Sequence, residues 1–207
     1  LIPNVKGGAT GPIAQNTDAM QKADPSVREY VAQIGNHYWG DQPGTAGPVY
    51  AGAFVMLLFI LGCFFVKGPI KWAALIATIL TVLLSWGKNF LPLTDFFIEY
   101  FPMYNKFRTV SSILVVAEFC IPLLAILALK EIIANPHIII EKKKESITAF
   151  ALTGGISFLF FLFPGLFFNF LNADEQVFMG EHAEYRDIFY NLELVRESIF
   201  SDDALRS

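Results

Sequence analysis

The chain has 207 residues, of which 54% are hydrophobic, 21 are phenylalanine and only 16% are charged. A soluble domain is about 45–50% apolar and about 25% charged, and one small core cannot hide so much aromatic surface, so the composition points to a membrane. A net charge of −4 gives nucleic-acid binding no electrostatic support, and two cysteines, Cys63 and Cys120, both inside apolar runs, argue against a disulfide framework or a metal site.

Residues 1–48 are polar and rich in Gly and Pro. Within them, 19–33 can hold a short helix, with Asp24-Pro25 as a start signal. Tyr38 and Trp39 precede an apolar run, as suits side chains at the headgroup level. Four apolar runs follow, at 49–66, 70–86, 113–133 and 147–171, each about the 17–25 residues that a spanning helix needs. Lys67-Gly68-Pro69-Ile70-Lys71 makes a turn between the first two, giving a tight membrane hairpin. Residues 87–112 form an aromatic loop. Glu118 and Pro122 interrupt the third run, Lys142-Lys143-Lys144 form a basic loop, and Gly154-Gly155 and Pro164-Gly165 in the fourth can bend it or allow close packing. In the tail, 172–207, Tyr185, Ile188, Phe189, Leu192, Val195 and Ile199 recur at helical spacing, for a helix lying on the membrane or on its own protein.

The expected fold is therefore all-α: a polytopic bundle of four transmembrane helices at 49–171, with interfacial and peripheral helices. Lys67, Lys71, Lys142, Lys143 and Lys144 fall on one side, against Lys88, Lys106 and Arg108 on the other. The positive-inside rule places the lysine-rich side in the cytoplasm, and segments 1–48, 87–112 and 172–207 outside. The chain opens on Leu1 without a signal peptide. It is read as an interior fragment of a longer protein, with room for catalytic residues beyond it.

The aromatic loop carries the chemistry. Phe96, Phe97, Tyr100 and Phe101 share one face of a short helix bounded by Pro92 and Pro102, and Asp95 and Glu99 share another. One reading is a structural helix in the membrane interface. The other is a substrate platform, where Lys88, Lys106 and Arg108 bind a phosphate and Asp95 or Glu99 binds a hydroxyl or a metal. Glu118 is the one carboxylate well inside a span, and Pro122 deprives the Glu118 carbonyl of its helical partner. Such a pair can hold a cation, a water or an arginine, or Glu118 can form a buried ion pair with Lys106, Arg108 or a further helix. His37, His137 and His182 have no ligand spacing, and no phosphate loop, Ser-His-Asp set or zinc motif is present.

Two segments, Tyr38-Trp39-Gly40-Asp41-Gln42-Pro43-Gly44-Thr45-Ala46-Gly47-Pro48-Val49-Tyr50 and Phe101-Pro102-Met103-Tyr104-Asn105-Lys106-Phe107-Arg108, resemble the bacterial YfhO family of membrane proteins. The first is similar to that family's aromatic-Gly-x-Gln-Pro…Gly-Pro…Tyr entry to a span, the second to its Pro-x-aromatic-Asn-x-Phe-Arg lead-in to the next. The tail Asp202-Asp203-Ala204-Leu205-Arg206-Ser207 resembles the family's lead-in to a further span, so the likeness covers 38–207. It implies a multi-pass protein of the bacterial cytoplasmic (inner) membrane, similar to GT-C glycosyltransferases, that moves a sugar from a polyprenyl-phosphate donor to an envelope acceptor. The class usually carries its catalytic acid in a first outside loop, a region expected outside this chain, so no catalytic residue is assigned. Arg108, Lys106 and Lys88 are the candidates for the donor phosphate, membrane lipids are expected partners, and a divalent cation is the one cofactor left open. The alternative is a non-enzymatic transporter, flippase or envelope assembly factor.

Overall fold

The computed structural model describes residues 6–8, 10–40, 50–101 and 110–206, without the side chains of Lys88, Asn89, Val110 and Ser111. Every regular element among them is helical. In chain order the first are α1 (Thr17–Met20), α2 (Arg28–Ile34), α3 (Ala53–Phe65), α4 (Pro69–Ser85), α5 (Leu91–Tyr100) and α6 (Leu114–Ala134). There follow α7 (Ile138–Glu141), α8 (Lys143–Leu162), α9 (Pro164–Phe167), α10 (Ala173–Glu181) and α11 (Arg186–Leu205). They fall into a central unit, Ala53–Thr153, and a terminal unit made of Leu1–Gly52 and Gly154–Ser207.

In the central unit α3 stops at a Gly-Pro turn. Gly68 takes a φ of 107°, which suits glycine, and Pro69 opens α4 where its missing N–H costs nothing. α6 packs against both α3 and α4. Phe59 and Val66 meet Leu124 and Ala128 in one cluster, and Leu58, Leu61 and Phe65 meet Ala125 of α6 and Ala149 of α8 in another. Gly62 lets the α3 and α6 backbones approach, since a Cβ there would sit 2.8 Å from the Leu124 carbonyl oxygen. Small residues at such contacts let helix backbones approach closely. The buried hydroxyls of Thr78, Thr81 and Thr153 donate to carbonyls one turn back, at 2.8, 2.8 and 2.9 Å, and so need no partner on another helix.

The helix lengths change the expected spans. α4 and α6 follow the second and third closely, and α6 runs through Pro122 without a break. α3 has 13 residues, about 20 Å at ~1.5 Å per residue, short of the roughly 30 Å hydrocarbon layer. α6 has 21 residues but carries Glu118, Lys130 and Glu131. The fourth span, expected to reach Leu171, ends at Leu162, because Pro164 pushes Phe163 out of the helical region to φ −131°, ψ 57°. Phe170 and Leu171 are instead buried in the terminal unit. Among the described residues α8 alone is long and apolar enough to cross a membrane by itself. α8 continues through Gly154 and Gly155, and neither brings a neighbour close, since a Cβ at either meets nothing within 4 Å.

The terminal unit is built on α11. Phe189, Leu192, Val195 and Ile199 form its buried stripe, packed on Ile13, Met20 and Val31. The tail helix therefore lies on its own chain. The single helix expected at 19–33 is two, α1 and α2, because Asp24-Pro25 makes a turn between them. The Asp24 carboxylate accepts from the Ser26 N–H at 2.8 Å and the Ser26 hydroxyl at 2.6 Å, the local bonding by which Asp competes with helix.

Candidate functional site

The aromatic loop folds as expected up to the edge of the described residues. After α4, a 3₁₀ turn over Gly87–Phe90 leads into α5, with Pro92 in its first turn. Thr94 pins the helix to that turn. It is buried, and its hydroxyl approaches the Gly87 carbonyl at 2.9 Å and the Phe90 carbonyl at 3.2 Å. On one face the rings cluster: Phe96 and Tyr100 lie 5.0 Å apart, and Phe97 stacks on Phe101 at 4.4 Å. Phe96, Tyr100 and Phe101 are nevertheless exposed. Asp95 and Glu99 are exposed too, with no hydrogen bond or ion pair among the described residues. The geometry is that of an amphipathic element with aromatic rings on one side and carboxylates on another. Of the phosphate candidates, Lys88 contributes only its backbone to this description, and Lys106 and Arg108 lie outside the described residues, as does Pro102.

Glu118 is not in a buried ion pair among the described residues. It is exposed on α6, one turn before Pro122. The packed stripe of that helix is Ala117, Cys120, Leu124 and Ala128, and Glu118 is turned about 100° from Ala117, toward the outside. His37 contacts the Gly7 carbonyl through Nδ1, and His182 stacks on Phe178 at 4.3 Å. No three His, Cys, Asp or Glu side chains gather as a metal set among the described residues.

The most tightly bound polar group lies elsewhere. Arg196 on α11 is fully buried and grips Glu175 with both terminal nitrogens, Nη1 to Oε2 at 2.6 Å and Nη2 to Oε1 at 2.9 Å. Nη1 also donates to the Phe170 carbonyl at 2.9 Å and Nη2 to the Asn36 carbonyl at 3.1 Å. Trp39, itself buried, lies 5.6 Å from the guanidinium carbon and 6.0 Å from the Phe170 ring. Glu175 is held in turn by a reciprocal cap on α10, accepting from the Asn172 N–H while Asn172 accepts from the Glu175 N–H. Such a group ties three distant segments together. Nη1 and Nη2 are spent on protein acceptors, whereas Arg196 Nε and Trp39 Nε1 are buried without a partner among the described residues. Its role is structural. A signal for it stood in the sequence: Arg196 is four residues from both Leu192 and Phe200, on the apolar stripe, and Asn172-x-x-Glu175 is a capping pattern.

Compared with protein-family models, with curated proteins and with solved structures, the chain matches none.

Proposed function

We propose that this chain is the membrane-embedded part of a GT-C-like glycosyltransferase, with four spans in the bacterial cytoplasmic membrane, a polyprenyl-phosphate-linked sugar as donor and an envelope component as acceptor. The observation that carries the membrane reading is the outer surface of the helices. Phe54 on α3 and Phe119 and Ile126 on α6 are exposed at 68, 68 and 64%, and Ile76, Ile79 and Phe150 on α4 and α8 are exposed likewise. Apolar surface of that extent is unusual on a soluble monomer, and lipid satisfies it. α4, α6 and α8 measure roughly 25–32 Å at ~1.5 Å per residue. α3, with 13 residues, is shorter.

The resemblance of segments 38–50 and 101–108 supports the transferase reading, and α5 suits it: a helix with exposed rings at the lipid boundary, leading in sequence to Lys106 and Arg108. Arginine stays charged and grips phosphate oxygens with two parallel N–H bonds, whereas lysine offers a point charge. The test is sugar transfer by the full protein in membranes at matched expression, with donor concentration varied. Arg108→Ala should weaken apparent donor affinity about ten- to a hundredfold, the loss of a charge-assisted bond of roughly 1.5–3 kcal/mol, and Arg108→Lys by less. Wild-type affinity in both overturns the phosphate role.

A second reading, a transporter, flippase or envelope assembly factor, is favoured by one feature. The exposed Glu118 carboxylate and the Pro122 break in carbonyl pairing coincide on α6, as polar groups do at transport sites. Glu118→Gln that abolishes lipid-linked sugar movement across the bilayer, in a protein without transfer activity, would select it.

A further inference from the structure

Five lysines converge at one end of the central unit, and the structure divides them by task. The last turn of α3 leaves carbonyls without helical partners, and two are met by ammonium groups. Lys142 Nζ donates to the Phe64 carbonyl at 2.8 Å and Lys71 Nζ to the Cys63 carbonyl at 3.4 Å. Both lysines are half-buried, and cations there also offset the negative end of the helix dipole. Lys67, Lys143 and Lys144 are exposed, and their ammonium groups make no hydrogen bond or ion pair among the described residues. Glu141 and Glu145 share this stretch without pairing to a lysine among the described residues, and Lys130 and Glu131 cancel, so the end stays positive.

It is also apolar. Ile138 of α7 packs on the core, while Ile139 and Ile140 are exposed. The Ser146 hydroxyl fixes that arrangement by donating to the Ile139 and Lys142 carbonyls, at 3.2 and 3.0 Å. Trp72, near the start of α4, is exposed as well. Free ammoniums beside exposed isoleucine and tryptophan match a leaflet boundary, where phosphates face the charges and hydrocarbon the side chains. We infer that this end docks on an anionic phospholipid leaflet through Lys67, Lys143 and Lys144, with Ile140 and Trp72 in its upper hydrocarbon, while Lys71 and Lys142 serve the fold.

This rests on the membrane reading above, and one experiment separates the two. The full chain is reconstituted in phosphatidylcholine vesicles containing spin-labelled phosphatidylglycerol or spin-labelled phosphatidylcholine, and the motionally restricted fraction of each probe is measured. Phosphatidylglycerol should be preferred several-fold. The preference should fall with each of Lys67, Lys143 and Lys144 changed to Gln, and reach parity when all three are changed. On the unaltered protein, about 1 M salt should remove it, the screening length being then ~3 Å. Inorganic phosphate at matched ionic strength should not compete beyond that salt effect. Lys71→Gln and Lys142→Gln should keep the preference and lower the melting temperature. Equal restriction of both probes by the unaltered protein, or a preference untouched by salt and by the three substitutions, overturns the docking and leaves the membrane reading intact. Failure to enter vesicles of either lipid overturns both.

Discussion

Removing the Arg196 guanidinium would strand the Glu175 carboxylate and the Phe170 and Asn36 carbonyls at once. Breaking one side of a buried pair typically costs about 3–5 kcal/mol. Arg196→Ala should lower stability by that order in thermal or denaturant unfolding, and Glu175→Gln by less, because glutamine still accepts from the Asn172 N–H. Equal, small losses would show that the pair is dispensable. Asp24 makes a milder, pH-dependent contribution. Its bonds from the Ser26 hydroxyl and N–H hold its pKa below the usual value. The stabilisation is therefore complete above the ordinary aspartate range near ~3.9 and fades as pH falls through the lower, folded value. The Ser26 amide resonance should titrate below that range, and Asp24→Asn should flatten the titration.

Elements divide by whether their limits are set locally. The bounds of α4 and α6 were legible because apolar runs and the Gly68-Pro69 turn define them without outside help. The aromatic and acidic faces of α5 were legible from four-residue spacing. The end of α8 was not, since Pro164 can either bend a spanning helix or end it. The choice fell with the burial of Phe170 and Leu171 among distant residues, which no local pattern announces. Arg196 was missed for the same reason: its partners lie at Asn36, Phe170 and Glu175, and a charged residue on an amphipathic helix reads first as solvated. Two of the helical glycines give the test at this scale. Gly62→Val drives a branched side chain into the Leu124 backbone and should cost about 1–3 kcal/mol. Gly154→Ala meets open space and should be neutral or stabilise by up to ~1 kcal/mol through helix propensity. Matching melting temperatures for both would mean that α3 and α6 can separate freely.

For the whole molecule, orientation is the measurable property. In a background lacking Cys63 and Cys120, single cysteines at Lys143 and at Glu99 should react with an impermeant reagent from opposite sides of intact cells. Glu99 is exposed on α5, as a labelling probe requires. Labelling of both from outside overturns the four-span topology. The terminal unit is discontinuous, assembled from Leu1–Gly52 and Gly154–Ser207, and this orders events during synthesis. Helices of the central unit find their partners within a short length of chain, so they can assemble while translation proceeds. Ile13 and Val31 must wait for Leu192 and Val195, and Trp39 for Phe200. Until the ribosome has released α11, Ile13, Val31 and Trp39 lack the partners that bury them.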